Sequence, residues 1–133
     1  MLRVENVCKK LNDFQLKDIS FELEEGYIMG LVGPNGSGKT TLIKIIMGLL
    51  KSDKGSVNMF GKIFTSDEVD LKEDIGFVYD KLEFYNYLSV KQYKKVVSKF
   101  YKRFNIQTFE RYLQEFNIRE KIKLETLSKG EAM

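Results

Sequence analysis

The chain has no histidine among its 133 residues. Imidazole acid–base catalysis and histidine metal sites are therefore excluded. A single cysteine, Cys8, excludes an internal disulfide and any cysteine cluster. No long apolar run is present. The longest, around Ile45 to Leu50, falls far short of the roughly 18 residues that a membrane span requires. The N-terminal MLRVENV lacks the apolar core of a secretory signal. Charge of one sign is scarce too. With 22 Lys and Arg against 19 Asp and Glu, the net charge of +3 is too weak to argue for nucleic acid or an anionic membrane by itself. What is present, 43% apolar and 31% charged residues, suits a soluble, intracellular folded chain rather than a disordered one. By length it fits one domain and not two.

Glycine is unevenly spread. Gly30, Gly33, Gly36 and Gly38 fall within nine residues, together with the only proline, Pro34. Glycine permits positive φ and close approach of backbone to a ligand, so the cluster marks a demanding loop. Before it, Tyr27 to Val32 is a short apolar run that predicts a buried strand. After it, Leu42, Ile45, Ile46, Leu49 and Leu50 recur at helical spacing and predict a helix over 39–50. The glycines thus join a buried strand to a helix.

Gly33-Pro34-Asn35-Gly36-Ser37-Gly38-Lys39-Thr40 fits G-x-x-x-x-G-K-[ST] at every fixed position. A polyphosphate needs many donors converging on it, and successive backbone N–H groups in a Gly-rich turn supply them. The following helix adds its unpaired N–H groups and the positive end of its dipole. Lys39 is expected to reach the β- and γ-phosphates. Thr40 is expected to ligate Mg²⁺ through its hydroxyl, and Thr41 to donate to the α-phosphate.

Elsewhere the pattern predicts strands at Leu2 to Val7, across Ile19, Phe21 and Leu23, at Ser56 to Phe60 and at Ile75 to Val78. Turns are expected at 52–55 and at Gly61. Ser89 and Gln92 form a capping-box pair at the start of a helix running to about Arg103. A second helix is predicted from Thr108 to Phe116. Ser128 and Glu131 match a capping box again.

Beyond the phosphate loop, GPNGSGKTTLIKIIMGLLKSDKGSV resembles the corresponding stretch of the ATP-binding cassette (ABC) ATPases. Gly48, Leu49, Gly55 and Val57 match that family's G-L-x-x-x-x-G-x-[VI] segment. Leu16 to Phe21 is similar to its L-x-D-[IV]-S-[FL] strand, and Ile75 to Val78 to the strand that ends at the Q-loop. Leu127-Ser128-Lys129-Gly130-Glu131 resembles the LSGGQ signature motif. The resemblance runs from residue 2 to the last residues.

It implies an α/β fold of the P-loop NTPase, ABC ATPase type, in partial form. Residues 1–80 would be the β-rich and P-loop core, with an antiparallel strand region. Residues 81–127 would be the Q-loop region and helical subdomain, and 127–133 the start of the signature motif. ATP or ADP with Mg²⁺ would bind through Gly33, Asn35, Gly36, Ser37, Gly38, Lys39, Thr40 and Thr41. Ser128 and Gly130 would face the γ-phosphate held by a second nucleotide-binding domain. The implied function is that of an ATP-binding subunit, cytoplasmic and peripheral to the membrane. It would couple ATP hydrolysis to transport through integral membrane subunits, and no direct nucleic-acid partner is expected. Hydrolysis would proceed by in-line attack of water, with Mg²⁺ and Lys39 stabilising the phosphoryl charge. The alternatives are a non-transport member of the family, acting in translation or chromosome maintenance, and a non-catalytic nucleotide-binding fragment. A GTPase would carry a guanine-reading N-K-x-D, which is absent.

Three departures from the family pattern stand out. The Q-loop glutamine position holds Asp80, whose carboxylate could ligate Mg²⁺ but cannot donate as an amide would. The adenine-stacking aromatic aligns with Leu11. Phe14, three residues on, could take that role or simply pack in the core. The third concerns length. The resemblance implies about the first 60% of a larger domain, with the Walker B half missing. The chain alone is therefore expected to bind nucleotide but hydrolyse it poorly, and to expose apolar surface and strand edges. The aromatic segment Phe84 to Leu88 and the lysines after it read either as a contact for the membrane partner or as core aromatics beside a solvated basic face.

Overall fold

A computed structural model of the chain describes residues 1–65, 67–78 and 85–132. The chain forms two compact units, Met1–Lys72 and Glu73–Met133.

The first unit is built on an antiparallel sheet of order β2-β1-β3-β4. Strands β1 (Leu2–Leu11) and β2 (Phe14–Leu23) form a hairpin. Helix α1 (Lys39–Ile46) follows. Strands β3 (Lys54–Met59) and β4 (Lys62–Ile63) then form a second hairpin. Its two-residue turn has Phe60 at φ 53° and Gly61 at φ 82°, which suits the right-handed strand twist. The short helix α2 (Val69–Lys72) closes the unit. Val4, Val7, Leu16, Leu42, Ile45, Val57, Met59, Phe64 and Leu71 form its buried core.

Two bulges shape the β1–β2 hairpin. Val4 pairs with Phe21 and Val7 with Ile19, so Glu5 and Asn6 together face Ser20. Asn6 lies at φ 48°, and its N–H, displaced from the ladder, donates to Ser20 Oγ at 2.8 Å. Across from Cys8 the excess passes to β2, where Asp18 lies at φ 47° and its N–H donates to Cys8 Sγ at 3.4 Å. Bulges bend a strand and add twist. The hairpin end beyond them carries Phe14 and Leu16 to the start of α1. Gly55 meets the same bulge from β3. It sits at φ 80°, and a Cβ there would stand 2.3 Å from the Glu5 carbonyl oxygen. Only glycine fits.

The second unit is helical: α3 (Val90–Val97), α4 (Ile106–Glu115), a 3₁₀ turn (Leu124–Thr126) and α5 (Lys129–Ala132). Backbone bonds from Lys91 N–H to Glu120 O (2.9 Å), Val90 N–H to Ile122 O (3.0 Å) and Leu124 N–H to Leu88 O (2.9 Å) clasp the 120–124 segment against the start of α3. Lys94 of α3 completes the clasp, its ammonium 3.0 Å from Glu110 Oε1 and 2.5 Å from Glu120 Oε1.

Several sequence expectations need correction. Tyr27 to Val32 is not a strand, nor is it buried: Ile28 is 101% and Val32 93% exposed. Ile75 to Val78 is not a strand either. A strand exists only with a hydrogen-bonded neighbour, and among the described residues neither segment pairs with one. Helix α1 ends at Ile46 rather than Leu50, because Gly48 adopts φ 66° and closes a Schellman cap. Gly48 N–H bonds Ile45 O (3.0 Å) and Leu49 N–H bonds Lys44 O (2.8 Å). Helix α3 stops at Val97 rather than near Arg103. Past it the chain tightens into i−3 turns, Lys99 N–H to Val96 O (3.2 Å) and Phe100 N–H to Val97 O (2.9 Å), and α4 starts two residues and ends one residue earlier than expected. Strands β1 and β2 are longer than the alternation suggested, and β3 begins and ends slightly earlier than expected.

Candidate functional site

The site grows from the start of α1. Gly38, the residue before the helix, is at φ 92°, and no side chain caps the helix. Leu42 N–H reaches Gly38 O at 2.8 Å. The N–H groups of Lys39, Thr40 and Thr41 have no hydrogen-bond partner among the described residues. Gly36 at φ 80° and the Ser37 N–H to Pro34 O bond (3.3 Å) curl the loop in front of them. Asn35, Gly36, Ser37 and the Thr40 side chain are exposed, whereas Gly38, Lys39 and Thr41 are half-buried. A row of free donors at the positive end of a helix is an anion site.

Lys39 lies across this loop. Its ammonium donates to Gly33 O at 2.6 Å and to Pro34 O at 2.8 Å. The cation is thus held over the loop by neutral carbonyls that a phosphate would outcompete, since a phosphate oxygen brings a full opposite charge to the bond. Gly33 makes room for the curl: a Cβ there would meet Ser37 Oγ at 2.8 Å.

The structure brings residues 33–41 together with Phe14. A Cβ on Gly38 would stand 2.3 Å from Phe14 Cζ and 2.7 Å from Leu16 Cδ2. The Phe14 ring therefore occupies the space beside the loop glycine. The sequence reading did not anticipate this contact. Its signal was the two-residue spacing of Phe14 and Leu16, which puts both on one face of β2. Leu11, just before the hairpin turn, is 38% exposed.

Other candidates lie elsewhere. Asp80 falls outside the described residues, as does Phe84. Glu73 and Asp74, acids upstream of it, are engaged: Asp74 with Arg103, and Glu73 with Lys102 and Arg103. Tyr85 and Tyr87 are exposed rather than core. Lys91, Lys95, Lys99, Lys102 and Arg103 are exposed, while Lys94 is tied into its ion pairs. Ser128 and Glu131 form the expected capping box. Glu131 N–H donates to Ser128 Oγ (3.3 Å), while Ser128 N–H and its hydroxyl donate to Glu131 Oε2 (2.8 and 2.6 Å). Those bonds hold the Glu131 carboxyl below its ordinary pKa. Gly130 has open space around it.

A cleft of about 370 Å³ in the first unit lies at the other end of α1, lined by Ile45, Gly48, Val57 and Phe64 among others. It is distinct from the loop. The phosphate-type site is a row of outward-facing donors, which needs no deep cavity.

Comparison with known proteins points the same way. A family model described as ABC transporter matches residues 16–133. Over 90 residues the chain is 47% identical to an uncharacterized ABC transporter ATP-binding protein, YdbJ, of Bacillus subtilis (strain 168). That match covers 67% of this chain and 29% of that protein. Over 127 residues it is 32% identical to a probable sulfate/thiosulfate import ATP-binding protein of Chlorella vulgaris, covering 95% of this chain and 51% of that one. Among solved structures, a putative ABC transporter ATP-binding protein from Pyrococcus furiosus superposes with a TM-score of 0.76 at 28% identity, over 98% of this chain and 64% of that one. The matches to these two curated relatives span 29% and 51% of their lengths.

Proposed function

Because the chain belongs to the ABC transporter family, we propose that its phosphate loop binds ATP or ADP with Mg²⁺, and that it is the nucleotide-binding part of an ATP-binding transport subunit. The observation that carries this reading is the open N-terminus of α1, where the N–H groups of Lys39, Thr40 and Thr41 face no acceptor among the described residues and the Lys39 ammonium lies across the same loop. A polyphosphate supplies the oxygens that these donors lack. Lys39 leaves the Gly33 and Pro34 carbonyls for the β- and γ-phosphate oxygens. The exposed Thr40 hydroxyl would hold Mg²⁺ on this loop, and Thr41 would donate to the α-phosphate. Bound Mg²⁺ would supply charge neutralisation along the phosphate chain.

In the whole protein, a second nucleotide-binding domain would present its Ser128 and Gly130 across the phosphates. Asp80, at the family's glutamine position, is proposed as a further oxygen near the metal. Integral membrane subunits would complete a transporter, with this chain on their cytoplasmic side. No helix among the described residues is long and apolar enough to cross a membrane.

Isothermal titration with Mg·ATP tests the reading. Wild-type chain binds, and Lys39→Ala weakens binding by about a hundredfold, as expected for loss of charge-assisted bonds of roughly 1.5–3 kcal/mol. Equal affinity in the two proteins would overturn it. Co-purification with an integral membrane protein tests the transport assignment, and recovery on ribosomes instead would contradict it.

A further inference from the structure

Phe14 stands at the first position of β2, two residues before the buried Leu16. Its ring is half-buried, with Cζ and Cε1 lying 2.3 and 3.0 Å from where a Gly38 Cβ would be. Leu16 Cδ2 fills the rest of that space at 2.7 Å. Gly38 is the pivot of the phosphate loop. At φ 92° it turns the chain from the curl of 33–37 into α1, and its carbonyl accepts the first bond of the helix, from Leu42. A ring pressed on that pivot fixes the direction of the Lys39, Thr40 and Thr41 N–H groups. Ring faces are also the natural platform for a nucleobase, but the Cζ–Cε1 edge of this ring is committed to the loop glycine. The other candidate for base contact, Leu11, is aliphatic.

We propose that Phe14 is a positioning residue that seats the phosphate loop, so that its contribution to affinity is made through the phosphates and is independent of the nucleobase. The proposal rests on the nucleotide-binding reading above. It predicts that this chain holds nucleotides by their phosphates, with little selection among ATP, GTP and CTP.

Inorganic tripolyphosphate separates the two roles, because it has the phosphates and no base. Calorimetric titration of the full chain with Mg·ATP and with Mg·tripolyphosphate is compared for wild type, Phe14→Leu, Phe14→Tyr and Leu11→Tyr. Phe14→Leu is expected to raise Kd by about tenfold for both ligands alike, the scale of a small misplacement of the binding groups. The stoichiometry of binding should not change. Phe14→Tyr, which adds a hydroxyl on the Cζ that faces Gly38, weakens both ligands alike as well. Leu11→Tyr tightens ATP only. A Phe14→Leu loss confined to ATP would show base stacking and overturn the proposal. A fall in stoichiometry and melting temperature with Kd unchanged would show a merely structural role and overturn it equally. If wild type binds neither ligand, the nucleotide-binding reading itself fails, an outcome distinct from both.

Discussion

Helices α1 and α3 are each eight residues long, yet their N-termini are finished in opposite ways. At α3 every early donor is satisfied. Ser89 N–H bonds Gln92 Oε1 (2.8 Å), Val90 and Lys91 N–H bond carbonyls of 122 and 120, and Gln92 N–H bonds Ser89 Oγ (3.2 Å). At α1 a glycine replaces the capping side chain, and three N–H groups are left without protein acceptors among the described residues. Water can satisfy donors at an exposed loop, and they stay available to an anion that arrives from outside. The contrast separates a helix start that holds the fold together from one that holds a ligand.

The largest effect should come from closing the open end. Gly38→Ala forces a left-handed alanine, at about 1–2 kcal/mol, and drives its methyl into Phe14 and Leu16. Overpacking adds about 1–3 kcal/mol. Chemical denaturation should show the combined loss, and titration should show no nucleotide binding. A stable Gly38→Ala chain with normal binding would erase the distinction. Next in size is the capped end. Ser89→Ala should lower stability by about 1 kcal/mol and leave nucleotide affinity unchanged, read by the same two measurements.

Much of this contrast was legible in the sequence. Ser89 and Gln92 announced the capped start, and Gly33 to Thr40 the open one, because both depend on residue types a few positions apart. The same holds for the turn at Gly61 and for Ser128 with Glu131. The contact of Phe14 with Gly38 was not legible as such, because it joins residues that only the bulged hairpin brings together. The strands expected at Tyr27 to Val32 and Ile75 to Val78 failed for a related reason. Apolar composition marks a segment fit for burial, but pairing needs a second segment, and composition says nothing about where that lies. Helix ends were missed where local backbone geometry decides: the positive φ of Gly48 for α1, and the tightening to i−3 bonds at Lys99 and Phe100 for α3.

The smallest expected effect lies in the clasp on α3. The Lys94 hydrogen bond, the first cause, holds the Glu120 carboxyl below its ordinary 4.5, and Glu120 in turn raises Lys94. A depressed acid contributes stability above its unfolded value and loses it as pH falls through the folded one. The second unit should therefore weaken slightly below pH 4.5, and Glu120→Gln should flatten that part of the profile in thermal melts. The raised lysine gives the mirror case. Its contribution is present below 10.5 and is lost as pH rises through the elevated value. Unchanged acid-limb melts in Glu120→Gln would remove the pair from the account of the clasp.

The central claim is that the open start of α1, and not the capped start of α3, receives the phosphates. Amide-resolved NMR during titration with Mg·ADP tests it most directly. The Lys39, Thr40 and Thr41 amide resonances should shift together and saturate, while those of Val90, Lys91 and Gln92 stay in place. Shifts at α3 with none at α1 would contradict it.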